Sequence, residues 1–220
     1  MTSLLERYRA GDRERVWAEL LQAPPGDETW AIACETMRRA RTNVEAITAK
    51  LKAANYRFDN PDSAWRPATP QDAKDVWAIV SKAGPMPLSL RAWYEIVGSV
   101  DWNGTHPDWS TFDPGTDPLV IAPVEAVLDW CECEWEDTSD PFLVEIAGDR
   151  LQKAGFSGGS YSIACGTHCA DAPVKGYAGL THFVPYLRTC FRNGGFAGFE
   201  GYAAGDGALV RSLAQGLLEI

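Results

Sequence analysis

The sequence predicts an α+β fold, with a small, mainly antiparallel sheet flanked by helices and a helical extension at the N-terminus. Two observations predict it. The first 60 residues show only helical periodicity, whereas short apolar runs bounded by proline and glycine follow after residue 117. Hydrophobic residues make up 45% of the 220 residues, which is enough for a core. We therefore predict a helical extension, residues 1–60, packed on the core, and an α+β domain, residues 61–220.

The N-terminal extension contains two short predicted helices, over about 3–9 and 13–22, followed by Pro24-Pro25-Gly26. Asp27 is then typical of an N-cap for a long helix that continues to about residue 54. Its apolar residues recur at steps of three and four, which favours burial of one face. They are Trp30, Ala33, Met37, Ala40, Val44, Ile47, Leu51 and Ala54. Docking of this stripe on the chain's own core is the favoured interpretation, and pairing with a second chain is the alternative.

A linker rich in proline, aspartate and asparagine is predicted over residues 56–69. Thr69-Pro70 is typical of an N-cap followed by proline at the first helical position. The helix that it starts extends to about Lys82. Three of its side chains are expected to face inward, namely Val76, Trp77 and Val80.

The second half of the chain alternates predicted helices and strands. Leu88 to Val97 is predicted to be a helix that ends at Gly98, because glycine favours the left-handed conformation found there. Strands are predicted at 118–123, 142–147 and 161–165. Further helices are predicted at 124–135, 181–192 and 207–218.

The charge distribution disfavours one class of partner. The chain has 20 basic and 30 acidic residues, a net charge of −10. Between Arg91 and Arg150 there is no lysine or arginine, but there are 14 acids. Such a segment repels phosphate groups, so we expect neither a nucleic-acid nor a membrane partner. It attracts cationic protein surfaces instead.

The stretch at 129–140, DWCECEWEDTSD, could be a metal site or a charged interaction surface. A helix over 124–135 gives it a core face made of Val124, Val127, Leu128, Cys131 and Trp135. A neighbouring stripe contains Glu125, Asp129, Glu132 and Glu136. Cys131 and Cys133 then point about 160° apart and cannot ligate one ion, although on a strand they could. Trp130 lies off the core face, either as an exposed anchor or buried under the N-terminal helices.

A second candidate metal site contains Cys165, His168 and Cys169, at a spacing that structural zinc sites use. The fourth ligand would come from Cys131, Cys133 or Cys190. The favoured alternative is that Cys131 and Cys190 are small core residues. We therefore expect no metal and no cofactor.

A hydrolase motif is also present, since Gly155-Phe156-Ser157-Gly158-Gly159 matches G-x-S-x-G and is followed by Asp171 and His182. The nucleophile elbow needs a strand before the serine and a helix after it. Here a polar run precedes Ser157 and an apolar strand follows. A turn is the favoured interpretation, so we expect no enzyme, and a hydrolase that uses Ser157 or a Cys/His zinc site is the alternative.

Three stretches resemble the SUKH superfamily, which contains the Smi–Knr cell-wall regulators and bacterial immunity proteins. They are Met86-Pro87-Leu88-Ser89-Leu90-Arg91-Ala92-Trp93-Tyr94-Glu95-Ile96-Val97-Gly98, then Asp117-Pro118-Leu119-Val120-Ile121-Ala122-Pro123, then His182-Phe183-Val184-Pro185-Tyr186-Leu187-Arg188 with Gly194-Gly195-Phe196-Ala197-Gly198-Phe199. The resemblance covers about residues 85–200. It implies an α+β fold and a protein-binding role without catalytic residues, and it implies that a basic toxin is a suitable partner.

Together these observations predict a non-catalytic protein-interaction module that binds a basic partner through an acidic surface. The residues expected to form that surface are Glu125, Asp129, Trp130, Glu132, Glu134, Glu136 and Asp137. The first residues lack the apolar run of a signal peptide, and no stretch approaches 18 apolar residues. Six cysteines in a chain of this length do not suggest a disulfide scaffold. We therefore expect a cytoplasmic protein.

Overall fold

A computed structural model describes residues 2–107, 116–135, 140–179, 181–198 and 207–220. The helices are α1 (Leu4–Ala10), α2 (Arg13–Leu20), α3 (Asp27–Ala53), α4 (Pro70–Ala83), α5 (Leu88–Ile96), α6 (Val124–Cys133), α7 (Arg150–Lys153), α8 (Phe183–Arg192) and α9 (Gly207–Ala214). The strands are β1 (Arg57–Phe58), β2 (Trp65–Pro67), β3 (Gly98–Asp101), β4 (Gly104–Thr105), β5 (Val120–Ile121), β6 (Leu143–Gly148) and β7 (Ser160–Ala164). The fold is α+β, as predicted.

In the described part of the chain, the strands pair antiparallel in three small sheets. One has the order β2-β3-β5, and the others are the pairs β1–β4 and β6–β7. The amide of Ala122, just after β5, donates to the carbonyl of Ile146 in β6 at 2.7 Å, which joins the central sheet to the β6–β7 pair. Helices cover these sheets, and one continuous buried cluster contains side chains from the central sheet, from the β6–β7 pair and from most of the helices, while Phe58 of β1 packs against it.

The predicted linker at 56–69 contains β1 and β2 instead, so that prediction was wrong. β2 is an edge strand in which Pro67 lies opposite Gly98 of β3. Proline is tolerated there because an edge strand leaves one row of backbone donors unpaired. The density of proline and aspartate hid a strand that exists only because β3 pairs with it. The sequence also did not predict β3 and β4.

Helix α3 supplies the long buried stripe that the sequence predicts. Its residues Ala33, Met37, Val44, Ile47 and Leu51 are fully buried, and α3 packs against α5 of the same chain. The N-cap is Gly26, not Asp27 as predicted. Asp27 lies in the first helical turn, where a negative charge interacts favourably with the helix dipole.

The C-terminal segment docks on α3 through polar contacts. The Asn43 side chain donates to the Leu218 carbonyl at 2.8 Å and accepts from the Leu218 amide at 2.7 Å. The Lys50 ammonium donates to the carbonyl of Leu213, in the last turn of α9, at 3.0 Å and to that of Gln215, just after the helix, at 2.5 Å. These bonds hold residues 213–220 against the N-terminal helices.

Trp77 of α4 was predicted to face inward, and that prediction was wrong. Val76 and Ile79 are buried, whereas Trp77 is 51% exposed. The Arg91 guanidinium lies over the rings of both Trp77 and Trp30, at 4.4 and 4.2 Å from their centroids. This cation–π contact with Arg91 gives the Trp77 ring a favourable neighbour at the surface, so the ring is packed without being buried. Within the described residues, no helix is both long and apolar enough to cross a membrane.

Candidate functional site

Helix α6 positions most of the predicted binding residues. It starts directly after Pro123, and its residues Val124, Val127 and Cys131 are buried as the sequence predicts. This face packs against α4. Near its C-terminus, the Lys82 ammonium of α4 donates to the carbonyls of Cys131 and Glu132 at 2.5 and 3.1 Å. A cation there satisfies terminal carbonyls and interacts favourably with the helix dipole.

The opposite face of α6 is open to solvent. Asp129, Trp130, Glu132 and Glu134 are exposed, and Trp130 is 51% exposed. Of the two alternatives for Trp130, the structure therefore shows the exposed side chain. The other two predicted residues, Glu136 and Asp137, lie outside the described residues.

The exposed face has two flanks. At 100° per residue, Glu125, Asp129 and Glu132 lie within about 60° of one another. Trp130 lies about 100° from Asp129, on the other flank, beside Glu134. The predicted surface is therefore an acidic flank and an aromatic flank on one short helix, which we call the α6 face. A partner that contacts both flanks must curve around the helix.

Basic residues from elsewhere in the chain reach this helix, which the local sequence did not predict. Arg66 of β2 forms an ion pair with Glu125, and both side chains are about half exposed. Over the described parts of the chain, Asp129, Glu132 and Glu134 form no ion pair. Glu125 is thus partly neutralised, and the remaining three carboxylates are available to a partner.

The thiols of α6 point apart, as the helical geometry predicts: Cys131 is buried and Cys133 is exposed. In the second cluster, Cys165 is buried and His168 is exposed. Burial raises the pKa of the Cys165 thiol to about 12, with smaller contributions from Cys131 and Cys169. A cysteine ligates zinc as the thiolate, and burial without a cation disfavours that ionised form. No group of three or more potential metal ligands is found among the residues described.

The G-x-S-x-G motif does not form a nucleophile elbow. Ser157 is exposed between α7 and β7, so a helix precedes it and a strand follows. Asp171 is buried, and its carboxylate accepts from the Ser89 hydroxyl at 2.6 Å and from the Val184 amide at 3.0 Å. Asp171 therefore links the first turns of α5 and α8.

The buried Asp171 carboxyl should make the free energy of unfolding fall as the pH rises. Burial raises its pKa to about 6, although the hydrogen bonds from Ser89 and Val184 oppose this shift. An unfolded aspartate titrates near pH 4, so the folded state binds the extra proton between about pH 4 and pH 6. Its contribution to the free energy of unfolding is therefore present at pH 4 and lost as the pH rises through 6. We expect wild type to lose about 2–3 kcal/mol relative to Asp171→Asn over this window.

Urea unfolding of both proteins from pH 4 to pH 7 measures this difference. Asp149→Asn is the matched control, because the amides of Leu151, Gln152 and Gly159 donate to the Asp149 carboxylate at 2.7–2.9 Å. Hydrogen bonds from Gln152 and Gly159 chiefly lower the pKa of Asp149. Wild type should thus gain stability relative to Asp149→Asn as the pH rises. Equal slopes for the two variants would contradict the assignment for Asp171.

No protein-family model, no curated protein and no solved structure matches the chain. Membership of the SUKH superfamily stays a prediction from the three sequence stretches.

Proposed function

We propose that the chain is a protein-interaction module that binds a basic protein through the α6 face. The observation that carries this proposal is the half exposure of the Trp130 ring. It lies close to three exposed carboxylates, on α6 or at its C-cap, for which the described residues provide no ion pair. Tryptophan is highly buried on average, and it is enriched among residues that dominate the binding energy of interfaces. Glu134 lies beside it, and Asp129 and Glu132 lie on the acidic flank of the same face.

The two flanks of the α6 face contribute differently to binding. Exposed carboxylates without partners attract a basic surface over a long range and accelerate its association. Trp130 provides an apolar contact whose burial slows dissociation. Glu125 contributes less, because Arg66 already pairs with it.

The resemblance to the SUKH superfamily supports a narrower proposal, an immunity protein whose partner is a basic toxin. Six free cysteines, four of them buried, support a reducing cytoplasmic location. The first candidate partners to test are basic proteins encoded beside the gene for this chain.

Binding of such a partner should depend on both flanks. We expect Asp129→Lys/Glu132→Lys to lower the association rate about tenfold at low salt and to flatten its salt dependence. Trp130→Ala should weaken the affinity about 30-fold, mainly through faster dissociation. Surface plasmon resonance at several salt concentrations measures both rates.

Glu45→Lys/Asp62→Lys is the control for total charge, since both residues are exposed and lie on other elements. It changes the net charge by the same amount and should reduce association less. An equal effect of both double variants would mean that only the total charge matters. Unchanged binding by Trp130→Ala together with Asp129→Lys/Glu132→Lys would remove the α6 face from the proposal.

A further inference from the structure

A cavity of about 600 Å³ lies between the start of α2, the last turns of α8 and the C-terminal segment. Four arginines line it, namely Arg13, Arg15, Arg188 and Arg192, and Phe191 and Leu217 add apolar surface. Its volume is within the range of small-molecule sites, which combine apolar walls with a few polar groups. None of these residues belongs to the α6 face.

The charges around the cavity are not balanced by pairs. Arg13 pairs with Glu219 at 3.1 Å, and Arg192 pairs with Glu14 at 3.3 Å. Asp12, which also lines the cavity, is held by Arg7 at 2.6 Å. For Arg15 and Arg188, no ion pair occurs within the described ranges. Within these ranges Arg15 and Arg188 therefore lack a carboxylate side chain as partner, although Arg15 is exposed to solvent.

Arg188 is the central group. Its Nε donates to the main-chain oxygen of Ile220 at 2.7 Å. Its Nη2 is buried and has no hydrogen-bond partner in the described part of the structure, and the same is true of Nε of Arg13. Burial lowers the pKa of Arg188, which reflects the cost of a guanidinium away from water. Arg188 as a whole is half-buried, but its Nη2 and the Arg13 Nε are buried, and unpaired buried N–H donors are costly unless an acceptor meets them.

We propose that this cavity binds a small organic anion, with an oxyanion head on the guanidinium groups of Arg188 and Arg13 and an apolar body against Phe191 and Leu217. The planar guanidinium presents donors in a fork that matches carboxylate and phosphate oxygens. An oxyanion head supplies both the missing charge and the missing acceptors. The apolar residues on the same wall favour a ligand with a hydrocarbon part.

Calorimetric titration of the full chain with octanoate, octyl phosphate and 1-octanol tests this proposal. We expect one site for an anion and no binding of octanol, because octanol carries the same body without the charge. Stronger binding of octanoate identifies a carboxylate head, and stronger binding of octyl phosphate identifies a phosphate head. Equal binding of octanol and the anions, or no binding of either anion, would overturn the proposal.

Variants locate the site. Arg188→Gln should weaken anion binding at least tenfold. Arg57→Gln is the control, because it removes an equal charge from an exposed residue of β1 and should leave anion binding unchanged. Leu218→Glu is a second test, because Leu218 lines the cavity and is already 38% exposed, so the substitution adds a negative charge at little cost to folding. Leu218→Glu should abolish anion binding, and it tests the proposed site even if Arg188→Gln does not fold. Wild-type affinity in Leu218→Glu would refute the proposed site.

Discussion

Replacing Lys153 with methionine should lower the free energy of unfolding by about 3–5 kcal/mol. The Lys153 ammonium and the Asp117 carboxylate are 2.7 Å apart, and each side chain is only 2% exposed. Lys153 also donates to the Pro118 carbonyl at 2.9 Å, and the Tyr161 hydroxyl donates to Asp117 at 2.9 Å. Removal of the cation alone leaves the Asp117 carboxylate buried. Among the described residues it then keeps the hydrogen bond from the Tyr161 hydroxyl, which compensates its charge only in part.

A double-mutant cycle measures the coupling. Asp117→Asn keeps an acceptor for Tyr161 and suits the left-handed backbone at this position, where φ is 41°. Because it removes the buried charge, Lys153→Met/Asp117→Asn should lose clearly less stability than the sum of the two single variants. Chemical denaturation followed by circular dichroism gives the four values. Strict additivity would show that the two charges do not stabilise each other.

Arg192→Met is the control for an exposed pair. Arg192 and Glu14 are 3.3 Å apart, but their side chains are 67% and 74% exposed. Such pairs contribute less than about 1 kcal/mol, because water screens both charges. A loss from Arg192→Met as large as that from Lys153→Met would mean that burial is not the reason for the effect.

Gly98→Ala is the second substitution for which we expect a large effect, a loss of about 2–5 kcal/mol. Gly98 follows Val97, the C-cap of α5, and begins β3 with φ of 93°. A Cβ atom there would lie 2.2 Å from the carbonyl oxygen of Arg66 and 2.6 Å from the amide nitrogen of Ala68. Both are backbone atoms, one in β2 and one in the residue that follows β2. The clash can therefore be relieved only if β2 and β3 move apart.

Gly155→Ala isolates the backbone conformation from the clash. Gly155 has φ of 82°, but nothing lies within 4 Å of its Cβ position. We therefore expect a loss of about 1–2 kcal/mol, which is the cost of a left-handed alanine alone. Thermal and urea unfolding of the two variants compare these losses. Similar values for Gly98→Ala and Gly155→Ala would contradict the close approach of β2 and β3.

Several elements could be predicted because their signals are local. The stripe on α3, the capping pair Thr69-Pro70 and the opposed thiols of α6 depend on helical periodicity or on neighbouring residues. The predicted end of α5 at Gly98 was also correct for a local reason, since glycine adopts the required backbone conformation. The sequence by itself therefore determined the order of the helices except for the short α7, which was not predicted, together with the α+β class and the acidic character of α6.

Only the tertiary structure decided which distant groups meet. β2 pairs with β3 across 30 residues, and Arg66 and Lys82 reach α6 from segments far before it in the chain. The four arginines of the cavity come from two helices about 175 residues apart, and no local pattern connects them. Charge and periodicity are properties of a segment. Partners are set by how segments pack. The half-buried position of Arg188, with no ion pair to a described acidic side chain, exists only after the core has formed.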